Sequence, residues 1–91
     1  MTTKFPLGQI VATPGCLEAL AASGQNAAEF LTRHVNGDWG DLDEEDKRLN
    51  DEALVDGSRI LSAYALVSGE RIWIISEVGR HLTTILRPED Y

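Results

Sequence analysis

Carboxylates alternate in the middle of the chain with the spacing of a calcium-binding loop. Asp41, Asp43 and Glu45 would provide the first oxygen ligands, and Glu52 stands at the twelfth position counted from Asp41. Calcium prefers such hard oxygen ligands. The sixth position of the loop, however, carries aspartate instead of the glycine that the sharp turn needs, and two cationic residues follow it. We therefore predict no metal site and interpret these carboxylates as helix-capping and first-turn charges.

The candidate nucleophiles and metal-ligating side chains of other kinds are isolated in the sequence. Cys16 lies near the start of a predicted helix, where backbone N–H groups lower a thiol pKa, but no catalytic partner accompanies it. His34 and His81 have no zinc-type spacing to each other or to the cysteine. A nucleophile-elbow motif and a phosphate-binding glycine loop are both missing from the sequence. We predict no catalytic residue and no cofactor.

Negative charge is concentrated in one segment. Residues 38–56 contain nine acidic and two basic residues, which accounts for the whole formal net charge of −7, while the rest of the chain has six of each. This balance disfavours nonspecific binding to nucleic acid or to an anionic membrane. The leading hypothesis is a non-enzymatic protein that binds a basic partner through this segment. The predicted partner-binding residues are Asp38, Trp39, Asp41, Asp43, Glu44, Glu45, Asp46, Asp51 and Glu52.

Three helices are predicted in the first two thirds of the chain. Thr13 followed by proline, and Ser23 followed by glycine, bracket a helix over residues 14–22. Asn26 opens a second helix over residues 26–35, with a glutamate three residues further on. The acidic segment forms the third helix, residues 42–55, whose short apolar stripe leaves most of its surface in water.

The last third of the chain changes to the period of β-strands. Residues 59–67, 71–78 and 82–87 are separated by short glycine-containing turns, which predicts a three-stranded antiparallel meander. Residues 9–12 are short, mostly apolar and partly β-branched, which is typical of a brief N-terminal strand or an extended segment. The sequence therefore predicts a single α+β domain over residues 1–91.

Two-residue turns would place Tyr64 opposite Trp73, and Trp73 opposite Leu86, on one face of the meander. Both faces are then apolar, and alanines on the other face suit close helix packing. We therefore predict that the face with these three residues is the interface of a homodimer. The same aromatic pair could stack the bases of single-stranded nucleic acid, but only Arg71 accompanies it and Glu77 lies on that face. Nucleic acid is the weaker alternative.

The first alternative to a binding protein is a small metal-dependent hydrolase. Such an enzyme would use Asp38, Asp41 or His34 near Trp39. No apolar stretch of the sequence is long enough to serve as a signal peptide or to span a membrane. The single cysteine cannot form an internal disulfide, as is usual in a reducing compartment. We predict a cytoplasmic protein.

Five stretches together resemble a family of small uncharacterised bacterial proteins met on plasmids and integrated elements, sometimes labelled plasmid-related or restriction-associated. These stretches are FPLGQIVATPG, FLTRHVNGDWGDLDEEDKRLNDEAL, GSRILSAY, IWII and TTILRPEDY. The loop from Ser76 to His81 departs from the polar turn expected there. The resemblance implies a bacterial, cytoplasmic accessory protein and brings no established activity with it.

Overall fold

The computed structural model describes residues 3–91, which form an α+β fold. The three predicted helices and the N-terminal strand are confirmed. The elements in chain order are β1 (Gln9–Ala12), α1 (Pro14–Ser23), α2 (Ala27–Val35), α3 (Glu44–Asp56), β2 (Ile60–Ala65), β3 (Arg71–Ser76) and β4 (Leu82–Leu86), with 3-10 turns at Val78–Arg80 and Pro88–Asp90. Among the described residues, no helix is both long and apolar enough to cross a bilayer.

Side-chain caps define where the helices begin. The Thr13 hydroxyl accepts the Cys16 amide N–H at 3.3 Å ahead of α1, and the Asn26 side chain accepts the Ala28 N–H at 2.8 Å ahead of α2. Asp43 caps α3 by accepting the amide N–H of residue 46 at 2.8 Å. Each cap satisfies a backbone donor that has no partner within the helix. Local sequence therefore determines the helix starts.

The sheet has four strands in the order β1-β4-β3-β2, so the predicted antiparallel three-stranded meander was incomplete. Strand β1 pairs in parallel with β4, and the ends of this ladder are the bonds from Gln9 N–H to His81 O (2.9 Å) and from Thr13 N–H to Ile85 O (3.0 Å). The partners lie more than seventy residues apart in the chain. Periodicity reports local structure only and cannot identify such a partner.

The predicted register between β2 and β3 is wrong by one residue. Leu66 N–H bonds Glu70 O at 2.8 Å, so the turn has three residues, with Gly69 at φ 96°, in place of two. Tyr64 consequently pairs with Ile72, and Trp73 pairs with Ala63. A one-residue slip reverses the face of every side chain in a strand. The pairing of Trp73 with Leu86 across β3 and β4 is as predicted.

Helices α1 and α2 cover one face of the sheet. Tyr64 lies in that core, 1% exposed, with its ring centroid 5.4 Å from that of Phe30. Trp73 and Leu86 lie on the opposite face, where Tyr91 contacts Trp73 edge to face at 5.7 Å. The structure therefore does not bring the three predicted interface residues together on one face.

The turn after β4 is tied to the start of α1. The Asp90 carboxylate accepts the Thr13 hydroxyl at 2.7 Å and the Arg87 backbone N–H at 3.1 Å. The hydrogen bond from the Arg87 guanidinium is the largest cause that lowers the pKa of Asp90 below its ordinary value. These contacts hold the end of β4 against the β1 to α1 junction.

Candidate functional site

Helix α3 and the loop before it lie along the outer edge of β2. Ala63 N–H donates to Trp39 O at 3.1 Å, and Asp41 N–H donates to Ala63 O at 2.7 Å, so residues 39–41 pair with the strand as a short parallel bridge. Farther along the same edge, the Asn50 side chain donates to Leu61 O at 2.7 Å and accepts Leu61 N–H at 3.3 Å. An open strand edge invites pairing with other chains. Here the acidic segment closes it.

Three further contacts anchor α3. Ala53 is buried in a small apolar cluster with Phe5, Trp39 and Ile60. The Trp39 indole N–H donates to Asp51 Oδ1 at 3.0 Å, which satisfies the one polar atom of that buried ring. The Arg80 guanidinium donates to Ala53 O at 2.9 Å, near the end of the helix, where the dipole favours a cation. The helix is therefore fixed along one side and its other side faces water.

Trp39 was predicted to contact a partner, but it is only 4% exposed and presents almost no surface. The eight acidic side chains predicted with it are all exposed. We call seven of them the acidic surface: Asp41, Asp43, Glu44, Glu45, Asp46, Asp51 and Glu52. The eighth, Asp38, pairs with Arg33 at 2.7 Å, and this hydrogen bond is the largest cause that lowers its pKa.

Few cations neutralise the acidic surface. Arg48 pairs with Glu45 at 2.5 Å and also with Glu52. Lys47 approaches Glu44, and Arg71 approaches Asp41, each at 3.9 Å. Exposed pairs of this kind contribute little to stability and leave the net charge of the region strongly negative. Asp43, Asp46 and Asp51 form no ion pair with any residue in the part of the chain that the structure describes.

The calcium-like spacing does not produce a ligand cage. Glu45 and Glu52 both turn toward Arg48, whereas the Asp41 side chain lies near Arg71. Across residues 3–91, no three histidine, cysteine, aspartate or glutamate side chains gather into a group that could hold a metal ion. The arrangement is that of helix capping and surface pairing.

An apolar groove adjoins the acidic surface. It has a volume of about 230 Å³ and lies between α3 and β2. Leu42, Leu49 and Leu61 supply its apolar lining, with Asp46 and Arg59 also contributing to its wall. Asn50 lines it as well, but its amide is already bonded to the β2 backbone. The groove therefore offers apolar surface next to unpaired negative charge.

His34, a candidate for the hydrolase alternative, lies at the centre of a buried hydrogen-bond chain. Thr83 Oγ1 donates its only proton to Leu7 O at 2.7 Å, so it accepts from Ser76 Oγ at 2.7 Å. Ser76 Oγ in turn accepts the His34 Nε2–H at 3.0 Å. Nδ1 is then left to accept the Ser62 hydroxyl at 2.6 Å. We call this chain the His34 network; it assigns the neutral Nε2–H tautomer to the histidine.

The His34 network is sealed from solvent. His34, Ser62, Ser76 and Thr83 are each 0% exposed. Burial is the main cause that lowers the pKa of His34 to about 4, with the positive charge of Arg80 as a second cause. The Ser62–His34 pair has the hydrogen bond of a nucleophile and its base, but a substrate has no path to it. Its role in this structure is to join α2, β2, β3, β4 and the segment before β1.

Cys16 is also inaccessible. Its side chain is 0% exposed in the core under α1, and desolvation raises the pKa of the thiol to about 11. A thiol with that pKa is almost entirely protonated at neutral pH and is a poor nucleophile. Cys16 therefore acts as a small apolar core residue.

Comparisons with known proteins give no match to a protein-family model, a curated protein or a solved structure. The resemblance to plasmid-associated proteins therefore stays a prediction. The candidate site comprises the exposed acidic surface and the apolar groove beside it, while the His34 network is sealed in the core.

Sequence reasoning missed several residues that shape this region. From the sequence, Asn50 is indistinguishable from an ordinary polar residue of a helix, and Arg80 from an ordinary turn residue. On one face of the sheet, isoleucines and a tyrosine alternate with three hydroxyl residues, Ser62, Ser76 and Thr83. This alternation is the available signal for a buried polar network. Their common partner, His34, is 28 and 42 residues away from the two serines. Because of this separation in the sequence, local patterns do not reveal the hydrogen bonds between His34 and the serines.

Proposed function

We propose that this protein is a non-enzymatic interaction module that presents its acidic surface to a basic partner. The observation that carries the proposal is the exposure of these seven carboxylates along one edge of the sheet, held there by Asn50, Ala53 and Trp39. A rigid acidic patch steers cationic surfaces toward it and needs no rearrangement on binding. We further propose a cytoplasmic accessory role, as the family resemblance implies.

The sealed histidine and cysteine support a binding role over a catalytic one. The candidate bases and nucleophiles His34, Ser62 and Cys16 are each 0% exposed. The acidic side chains on the outer side of α3 are exposed, and some of them pair with Arg48. Electrostatic binding requires only exposed charge, which the acidic surface provides.

Reversing the charge of Glu44, Glu45 and Asp46 to lysine should weaken partner binding at least about tenfold at low salt, because electrostatic attraction between exposed groups depends on the sign of the local charge. The measurement is a quantitative pull-down and titration with the recovered partner at low and high salt. Asp43 is kept so that the helix cap survives.

The matched control reverses Glu18, Glu29 and Glu70, three exposed acids outside the segment, so that both variants carry the same net charge. The control variant should bind within about twofold of the natural protein, since local charge and not total charge governs docking. Equal weakening in both variants, or no weakening in either, would contradict the proposal.

A second proposal is weak self-association through the outer edge of β1. Ile10 and Val11 there are 46% and 37% exposed, and no described residue pairs with that edge. Gln9 and Thr13 direct their backbone groups to β4, so those of Ile10 and Ala12 point outward. Two copies could join these edges antiparallel, with their acidic surfaces at the far ends of the combined sheet.

Such a dimer should be very weak and should form only at the highest protein concentrations. A few new backbone hydrogen bonds contribute about 0.5–1.5 kcal/mol each, against an association cost of roughly 4–15 kcal/mol. Sedimentation over a concentration series should show the natural protein dimerising at the top of the range. Ile10→Lys should abolish dimerisation, and Val67→Lys, at an exposed turn, should not. A strict monomer throughout would refute this proposal.

A further inference from the structure

We infer that the groove beside the acidic surface receives one apolar side chain of the basic partner, so that the partner's binding segment is amphipathic and not merely cationic. This inference rests on the proposed function. The apolar side chain would add a hydrophobic contact to the electrostatic one. The groove lining is apolar at Leu42, Leu49 and Leu61, and Leu49 is 49% exposed.

The size of the groove indicates its occupant. Pockets for small-molecule ligands usually measure roughly 300–1,000 Å³. The volume here is about 230 Å³, which suits one large side chain. Protein interfaces commonly concentrate their affinity in such an anchor, with charged groups around it. The occupant we assign is therefore a leucine-sized or aromatic side chain of a peptide segment.

Charge complementarity determines the residues beside that anchor. Asp46 lines the groove without an ion pair among the described residues, and Asp43 and Glu45 lie within one helical turn of it. A lysine or arginine next to the anchor would meet these carboxylates. Arg59, at the groove wall, is held by a 3.1 Å hydrogen bond to the Tyr91 hydroxyl. The partner's cations should therefore lie toward the N-terminal half of α3.

The test uses two short fluorescent peptides, both rich in lysine, one with a central leucine and the other with serine in its place. Anisotropy titrations measure binding to the natural protein and to Leu49→Ser. We expect the leucine peptide to bind about tenfold more tightly than the serine peptide, because the groove removes the leucine side chain from water. Leu49→Ser should remove that preference.

Leu17→Ser is the matched control, because Leu17 is 54% exposed on α1 and distant in sequence from the groove. It should leave the preference intact. Equal, salt-sensitive binding of both peptides would overturn the groove inference and leave the proposed function standing. A leucine preference that survives Leu49→Ser would also overturn the inference. Failure of both peptides to bind at low salt would overturn the inference together with the proposed function.

Discussion

Lowering the pH from about 7 to about 5 should reduce the free energy of unfolding by about 2 kcal/mol, because His34 is buried in its neutral form. Its pKa is about 4 in the folded protein and 6.5 when exposed. The unfolded chain therefore takes up the proton first as the pH falls. The contribution of this group is complete above pH 6.5 and is lost progressively down to pH 4.

The hydrogen bonds explain why the proton is excluded. Nδ1 of His34 accepts from Ser62, and a protonated ring would have to donate there. Ser62 would have to reverse its hydroxyl although its side chain is completely buried. Arg80 adds repulsion from the direction of the Phe5 ring, which lies 5.4 Å from its guanidinium and 5.2 Å from the histidine ring. Each of these effects favours the neutral ring.

Urea unfolding at a series of pH values measures this loss. His34→Gln can still accept from Ser62 and donate to Ser76, yet it does not titrate, so its stability should be lower at pH 7 but nearly flat down to pH 5. His81→Gln, at an exposed histidine, should keep the slope of the natural protein. The carboxylates with lowered pKa values, Asp38, Asp56 and Asp90, lose their contribution only at lower pH. A slope that persists in His34→Gln would contradict the assignment.

Replacing Gly40 with alanine should destabilise the protein by about 3 kcal/mol, which corresponds to a drop in Tm of roughly 15 °C. Gly40 has φ 77°, and an added Cβ would collide with the Ala63 carbonyl. A left-handed residue other than glycine costs about 1–2 kcal/mol before any collision. Moving the carbonyl also breaks the 2.7 Å bond from Asp41 N–H that closes the β2 edge.

The variant Gly57→Ala distinguishes the cost of backbone strain from the cost of a steric collision. Gly57 has φ 81°, close to that of Gly40, but no atom lies within 4 Å of the position of an added Cβ. Its replacement should cost only about 1 kcal/mol, the strain alone. Thermal unfolding of both variants measures the difference. Equal losses in the two would show that the contact between residues 39–41 and β2 contributes little to stability.

Local signals in the sequence were sufficient for the helices and for most strand positions. Thr13, Asn26 and Asp43 cap their helices through side-chain bonds that span two or three residues, so neighbouring residue types determine them. The register of β2 on β3 depended on whether the turn before Glu70 had two residues or three. Both turn lengths are compatible with a serine-glycine pair, and the turn in the structure has three residues.

Some features of the candidate site were likewise predictable from the sequence, and others depend on the fold. Its charge is a property of composition, and the acids were identified as exposed because too few apolar positions were available to bury α3. The groove and the closed β2 edge depend on where α3 lies against the sheet. That placement comes from Asn50 and Arg80, whose partners Leu61 and Ala53 are 11 and 27 residues away in the chain, and from the burial of Ala53 against Phe5 and Trp39.

Neighbouring residues were enough to locate the helices, the strand-forming segments and the acidic segment, because caps, periodicity and charge act between residues close in the chain. The parallel pairing of β1 with β4, the side of the sheet on which Tyr64 lies, and the burial of His34 among three hydroxyls appear only in the folded protein. These features depend on contacts between distant segments, and the free energy that selects them comes from burying shared apolar surface and pairing polar groups inside it.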